Sequence, residues 1–440
     1  MKFFFSLITL LSITCSCAQN KIPKENLSDD IILFEYVIYF LDDDDAINET
    51  SAKKTFKNRY PAFKMHDTFP DPNSVIGKNI IITGINNVKE DFPPMDLEYL
   101  KYSSYGLTDR EKKRLQKSNH ALILDFTSNK EDLISSIKNT NNFIFNLIKN
   151  KEAVVYDPET RETFGKEYWK ENRLISNESV NLANHITIHF YQKDEFCRAI
   201  TLGMLKFGLP DIVIEDLSCN SGVELASFIN LIAQTLFEKQ TLEKDGVLKL
   251  DIKTIKNETL KSILLSDLFE NATKQAEVRL VESELEEGDP ENRLIEIAFS
   301  SDNPQIEHNE TMTKLFGSED KISMLKHDDK LEAASERAKT KIPKLKKLFL
   351  DGLPLNSHLL IKFPFDNKDG EREWMWVEIT KWKADIIDGL LQNEPRLIPT
   401  LKAGQKVSKN INDMFDYILF KPDGSQEGNE TGKIIMKNQK

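Results

Sequence analysis

The residues whose types and spacing could do chemistry are few. In "YDPETRETF", Asp157, Glu159, Arg161 and Glu162 stand close together. Two carboxylates beside an arginine are the material of general acid–base catalysis. No nucleophile elbow or phosphate loop accompanies them, since GxSxG, GxxxxGK[ST] and GxGxxG are all absent. The reading that follows is a turn at Asp157-Pro158 with its charges on a solvated connection, anchored by Phe164 and Trp169, and no residue is assigned a catalytic role. "HITIH" spaces His185 and His189 four apart. The surrounding "NHITIHFYQ" alternates like a strand, in which a rise of about 3.3 Å per residue sets the two imidazoles roughly 13 Å apart. With no CxxC in the chain, neither a metal site nor a cofactor is expected. Asp42 to Asp45 lack the glycine and terminal glutamate of a calcium loop and are expected to form a solvated turn.

Three of the four tryptophans, Trp374, Trp376 and Trp382, crowd into "EWMWVEITKWKAD". Strand alternation sends Trp374, Trp376 and Glu378 to one face and Met375, Val377 and Ile379 to the other. The aliphatic set is the natural inside. The tryptophans are then left to a second apolar layer, a domain interface or a ligand surface, with packing against a helix at about 344–350 as the competing account. Trp382 lies between two lysines past the strand and is expected to matter least to folding. The three together are the candidate binding surface.

What positions these residues starts with the beginning of the chain. Met1-Lys2 precedes the apolar run "FFFSLITLLSI", too short for a permanent span of about 30 Å. The run ends in "TCSCAQN". This resembles the lipobox of bacterial lipoproteins, with Ser16 before the cut and Cys17 bearing the lipid; Cys15 is the weaker alternative, and a leucine three places before Cys17 is missing. The resemblance implies a signal peptide over 1–16, a lipid-anchored protein of the bacterial cell envelope with its leaflet undetermined, and a body in the periplasm or outside the cell. The membrane is then a partner through the N-terminal lipid. A net charge of −12 suits phosphate backbones poorly, so nucleic acid is not expected as a partner. Beyond the leader only Cys197 and Cys219 remain; an oxidising compartment permits them to pair, and the sequence leaves that open.

The expected fold class is α+β: a central mixed sheet with helices on one face, plus a small β-rich, barrel-like C-terminal domain. Strands are expected at 31–41 and 75–85 within an N-terminal region over 17–118. An α+β domain over 119–240 follows. It contains the strand "HALILDFTS", a helix carrying Leu133, Ile134, Ile137, Ile144 and Leu147, and a long helix from about Gly222. Residues 241–341 are expected to be an acidic, then basic, connecting region in which "NRLIEIAFS" can add a strand; Arg337, Lys339, Lys341, Lys344, Lys346 and Lys347 form its basic end, broken by Pro343 and read as a solvated linker or as lying against the acidic segment upstream, with contact to anionic lipid head groups as the alternative.

Within 342–440 the succession "HLLIKFPF", "GEREWMWVEIT", "IIDGLLQNEP", "LKAGQKV" and "DMFDYILF" resembles the YegJ-like family of unknown function. "YDPETRETF", "YWKENR" and "TLGMLKFGLPDIVIED" are similar to segments of large uncharacterised bacterial proteins that carry such a module. The resemblance implies architecture and supplies no catalytic residue. The expectation is a protein of unknown molecular function that acts by binding, with a protein as candidate partner. The alternatives are an envelope hydrolase using carboxylates not identified here, or a toxin-immunity protein. A binding protein calls for a tryptophan-bearing surface; a hydrolase calls for a pocket with paired acids of perturbed pKa.

Overall fold

The computed structural model describes residues 21–68, 77–174, 179–220, 222–266, 268–299, 303–318, 329–354 and 356–438. Cys17 lies outside them. The α+β class holds, but with three sheets that follow one another along the chain in place of one central sheet.

The first sheet holds β1 (Ile31–Phe40), β2 (Lys64–His66), β3 (Asn79–Ile85), β4 (Ser104–Tyr105), β5 (His120–Asn129), β6 (Ala153–Asp157) and β7 (Glu162–Gly165), ordered β2-β3-β5-β1-β6-β7-β4. Its middle strand, β1, is a run of β-branched and aromatic residues, paired antiparallel to β5 on one side and β6 on the other. Five helices belong to this part: α1 (Glu49–Arg59), α2 (Val88–Asp91), α3 (Asp109–Leu115), α4 (Leu133–Ile148) and α5 (Lys166–Asn172). The apolar face of α4 buries Leu133, Ile137, Ile144 and Leu147 as its spacing dictates, whereas Ile134 is largely exposed. The four aspartates at 42–45 do form a turn after β1, with Asp45 accepting from the Glu152 amide at 2.8 Å.

The second sheet holds β8 (Thr187–Lys193), β9 (Phe196–Leu202), β10 (Asp211–Leu217), β11 (Val247–Asp251), β12 (Gln275–Ser283) and β13 (Leu294–Ala298), ordered β11-β12-β13-β10-β9-β8. Its helices are α6 (Gly222–Lys239), α7 (Glu258–Ser266) and α8 (Pro304–Phe316). Residues 241–318 are therefore no connection: β11, β12 and β13 complete this sheet, and Leu248, Leu280 and Ile297 enter one core shared with the first sheet. Cys197 of β9 and Cys219, just past β10, are joined as a disulfide with their Cα atoms 5.2 Å apart.

The C-terminal domain begins earlier than 342. Helix α9 (Asp329–Lys339) packs on its strands and on α11 (Glu430–Asn438), and α10 (Ile342–Leu350) buries Leu345 in its core. Pro343 stands in the first turn of α10, where its missing N–H costs nothing, and α9 stops at Lys339 just before it, so the basic stretch is two helices and no long regular one. The basic residues expected to lie on a linker pair with the far end of the same domain, Arg337 with Glu430 and Lys344 with Glu427, both at 2.8 Å. The sheet is all antiparallel: β14 (His358–Asp366), β15 (Arg372–Lys383), β16 (Ile386–Leu391), β17 (Lys406–Asn410), β18 (Asp416–Phe420) and β19 (Gln426–Gly428), ordered β17-β16-β15-β14-β18-β19. It curls strongly, since Lys409 of β17 donates to the Pro364 carbonyl at 2.6 Å although β16 and β15 stand between β17 and β14. It stays open, with β17 and β19 as edges, and so is not a closed barrel.

Candidate functional site

The carboxylates of "YDPETRETF" do not sit on a solvated connection. Asp157 closes β6 and Glu162 opens β7, and the turn between them places Arg161 at positive φ. Asp157 is fully buried. Its Oδ2 accepts from Arg173 Nη1 at 3.0 Å and from Lys206 Nζ. Arg173 follows α5, Lys206 lies in a short helical turn between β9 and β10, and both are 1 % exposed. The guanidinium reaches Glu162 Oε2 at 3.7 Å, His185 Nδ1 at 3.5 Å and the face of the Phe164 ring at 4.4 Å. Two anions and two cations are thus closed together at the seam between the first two sheets. Burial lowers the Lys206 pKa, with Asp157 opposing it, and holds His185 well below its ordinary value, so the imidazole is neutral. Burial also pushes Glu159 up to about 7, with the Asp157 charge adding to it, and Asp211 up to about 6. Beside Glu162 and Arg173 opens a cleft of about 210 Å³ lined by Tyr105, Phe164, Tyr168, Asn184, Thr187 and Asn230. His185 belongs to this cluster while His189 lies in β8, so the two histidines do not converge.

Two further acids escaped the sequence reading. Glu35 and Asp125 are direct cross-strand partners on β1 and β5 and share a hydrogen bond. Burial first and the neighbouring carboxyl second push Glu35 up to about 8, and burial raises Asp125. Their signal was present: each is the lone charge within an apolar strand, "IILFEYVIYF" and "HALILDFTS". Neither lines the cleft beside Arg173 or the one described next.

The tryptophans part company. Met375, Val377 and Ile379 fill the C-terminal core as alternation requires. Trp374 and Trp376 take the opposite face and are half-buried, with the Lys362 ammonium 5.2 Å from the Trp376 ring centre. Trp382 does not join them. The pairing of β15 with β16 slips between Ile379 and Lys381, which flips the alternation, exposes Lys381 and drives Trp382 into the core to 5 % exposure. There it meets Phe349 of α10, ring centres 6.2 Å apart, so the helix at 342–350 packs on Trp382 and not on the other two.

Trp374 lines a cleft of about 560 Å³ with Phe415, Pro364, Met414 and charges of both signs: Arg372, Lys409 and Lys339 against Asp366, Asp413, Glu332 and Glu336. The Phe415 ring lies 5.3 Å from Trp374, and the Arg372 guanidinium stands 5.9 Å from its ring centre while donating to Asp366 at 2.6 Å. Burial lowers the Lys409 pKa.

Glu378, on the same face as the two tryptophans, faces the second sheet. It is buried, accepts from the Ser218 hydroxyl and lies 3.4 Å from the Gln392 amide, which in turn accepts from Asn220. Around it Lys381 pairs with Glu195 and Lys402 with Glu310, each at 2.6 Å. Gly404 brings its backbone so near Gln305 that an added Cβ would lie 2.6 Å from that carbonyl. This face of β15 and β16 is therefore a domain interface.

Among the described residues no group of three or more His, Cys, Asp or Glu is placed to hold a metal ion. No curated protein and no solved structure matches the chain. Residues 328–438, which include α9, the segments quoted for the C-terminal module and every residue lining the Trp374 cleft, match the model of a family described as an uncharacterised protein conserved in bacteria, DUF2314.

Proposed function

We propose that this is a lipid-anchored protein of the bacterial cell envelope that acts by binding, and that its C-terminal domain takes the ligand at the Trp374 cleft. The observation that carries the binding reading is the cleft itself: an aromatic pair, Trp374 and Phe415, set among three cations and four carboxylates, made wholly by one domain. Aromatic and arginine side chains in a concave site are the usual anchors of a bound partner. Charges of both signs around an apolar floor suit a polar, zwitterionic ligand such as a peptide segment. By contrast Asp157, the acid of "YDPETRETF" at the centre of the cluster, is fully buried and engaged by both Arg173 and Lys206, an arrangement that serves stability.

The envelope reading is supported by the "TCSCAQN" leader and by the Cys197–Cys219 disulfide, a bond that persists in oxidising compartments. The described helices include none long and apolar enough to cross a membrane. Under this reading Cys17→Ala leaves the protein out of the membrane fraction.

The cleft is tested by placing a photo-activated aromatic residue at Trp374 in cells and a control at Asp423, an exposed turn. A discrete adduct at 374 that disappears on Arg372→Ala, and is absent from 423, supports the reading. Equal labelling at both positions, or none at 374 in folded protein, overturns it. A second reading, hydrolysis, has behind it the Glu35–Asp125 pair with both pKa values raised, but neither acid lines the cleft beside Arg173 or the Trp374 cleft.

A further inference from the structure

We infer that the body stands end-on upon the bilayer. The end of the second sheet that carries residues 21–29 faces the lipid, and the C-terminal domain is held at the opposite end, away from it. This rests on the reading of Cys17 as the lipid-bearing residue and goes beyond it, because a lipid alone leaves orientation open.

The chain is pinned as soon as it is described. The Lys21 carbonyl accepts from the Glu282 amide at 2.8 Å, Glu25 from Leu242 at 2.9 Å, and Leu27 donates to Gln240 at 3.3 Å. Leu27 is 2 % exposed, and Arg293 holds its carbonyl at 2.9 Å and Asp29 at 2.8 Å. Four residues lie between the lipid and Lys21. Whatever their conformation they reach no further than ~14 Å, about half the thickness of a bilayer core. A tether so short keeps the pinned end at the lipid headgroups.

The topology says which end that is. Gly208, just before β10, accepts from Asp29 at 2.9 Å. Arg293 just precedes β13, which runs parallel to β10; Glu282 is near the end of the antiparallel β12, and Gln240 follows α6. All are at one end of the sheet. The contacts that hold the C-terminal domain come from the other: Ser218 and Asn220 after β10, Glu195 in the turn between β8 and β9, and Glu310 of α8. Helix α6, with 18 residues, runs between the two ends, a length of ~27 Å. The lipid-facing end carries exposed Ile22 and exposed charges of both signs, Lys21, Lys24 and Lys244 with Glu25, Glu243 and Asp245. Such a balanced surface does not act as a polybasic patch, so the tether sets the orientation and added salt leaves it unchanged. The spacing presents the Trp374 domain outward.

The test uses full-length lipidated protein in vesicles of phosphatidylethanolamine and phosphatidylglycerol that carry a headgroup-bound quencher. A fluorophore is placed on Lys244→Cys or, separately, on Asp423→Cys. Several-fold stronger quenching at 244 than at 423, unchanged by salt and lost when a Gly/Ser spacer of about 20 residues is inserted before Lys21, is the expected result. Equal quenching, or stronger quenching at 423, in protein whose Cys17 is shown by intact mass to be lipidated overturns the orientation alone. An unlipidated Cys17 overturns the anchor reading and the orientation with it.

Discussion

At the scale of single residues, Arg173 does the most. It touches Asp157, Glu162, His185 and the Phe164 ring together, and it does so at 1 % exposure. Removing one partner from a buried ionic group leaves an uncompensated charge, which typically costs about 3–5 kcal/mol. Arg173→Met is therefore expected to lower the unfolding free energy measured in urea by that order, while Glu171→Ala on the exposed side of α5 changes it by less than about 0.5 kcal/mol. Equal effects from the two substitutions would remove the structural role argued for the cluster. Asp157→Asn combined with Arg173→Met should cost less than the sum of the two, because they share one contact. The sequence displayed the acidic half of this cluster and hid the rest. Asp157, Glu159 and Glu162 are neighbours in the chain, whereas Arg173, His185 and Lys206 arrive from other elements, and no local spacing announces them.

At the scale of elements, β15 shows how one slipped pairing reassigns a face. Its alternation was legible as far as Ile379, and the core set Met375, Val377 and Ile379 follows it. The slip beyond Ile379 carries no glycine or proline of its own. It is written in the partner strand, where Gly389 stands opposite Ile379 and an added Cβ would lie 2.1 Å from the Glu378 carbonyl oxygen. Trp382, expected from its flanking lysines to matter least of the three to folding, is a core residue for this reason. Emptying a buried aromatic site costs about 3–5 kcal/mol, so Trp382→Ala should melt the C-terminal domain early. Trp374→Ala, on the half-buried opposite face, should cost clearly less. Thermal unfolding of the two variants followed by near-ultraviolet circular dichroism ranks them, and the reverse order would contradict the slipped register.

At the scale of the whole molecule, what the sequence could not reveal was pairing at a distance. The acidic stretch after 241 looked like a connection because β11 is short and β12 alternates exposed polar with buried apolar residues, and because the parallel pairing of β10 with β13 spans more than 70 intervening residues. A domain interface was one of three accounts open for the face of Trp374, Trp376 and Glu378, but its partner was hidden, since Ser218, Glu195 and Glu310 come from distant elements. Its consequence is a dependence on pH. Burial pushes Glu378 up to about 7 from an ordinary 4.5, against the lowering effect of Ser218 and of the Cys219 and Asn220 amides, and no cation among the described residues offsets it. When docked it keeps its proton at pH values where the undocked carboxyl has lost it. The docked state thus binds more protons between about 4.5 and 7, so docking is strongest at the acid end of that window, weakens as pH rises through it, and levels off above. Lys381 and Lys402, the cations at the same interface, have pKa values raised by Glu195 and Glu310 and stay charged throughout, so they add no slope. The whole effect is on the order of 1–3 kcal/mol. Cleavage at a protease site engineered between α8 and α9 should accordingly release the C-terminal domain more readily at pH 8 than at pH 5.5, when rates are corrected for the protease's own pH dependence. Glu378→Gln, neutral at both pH values and able to keep the Ser218 hydrogen bond, should abolish the difference. If the variant kept the wild-type pH dependence, the titrating group would lie elsewhere, and Glu378 would be only a contact in the interface.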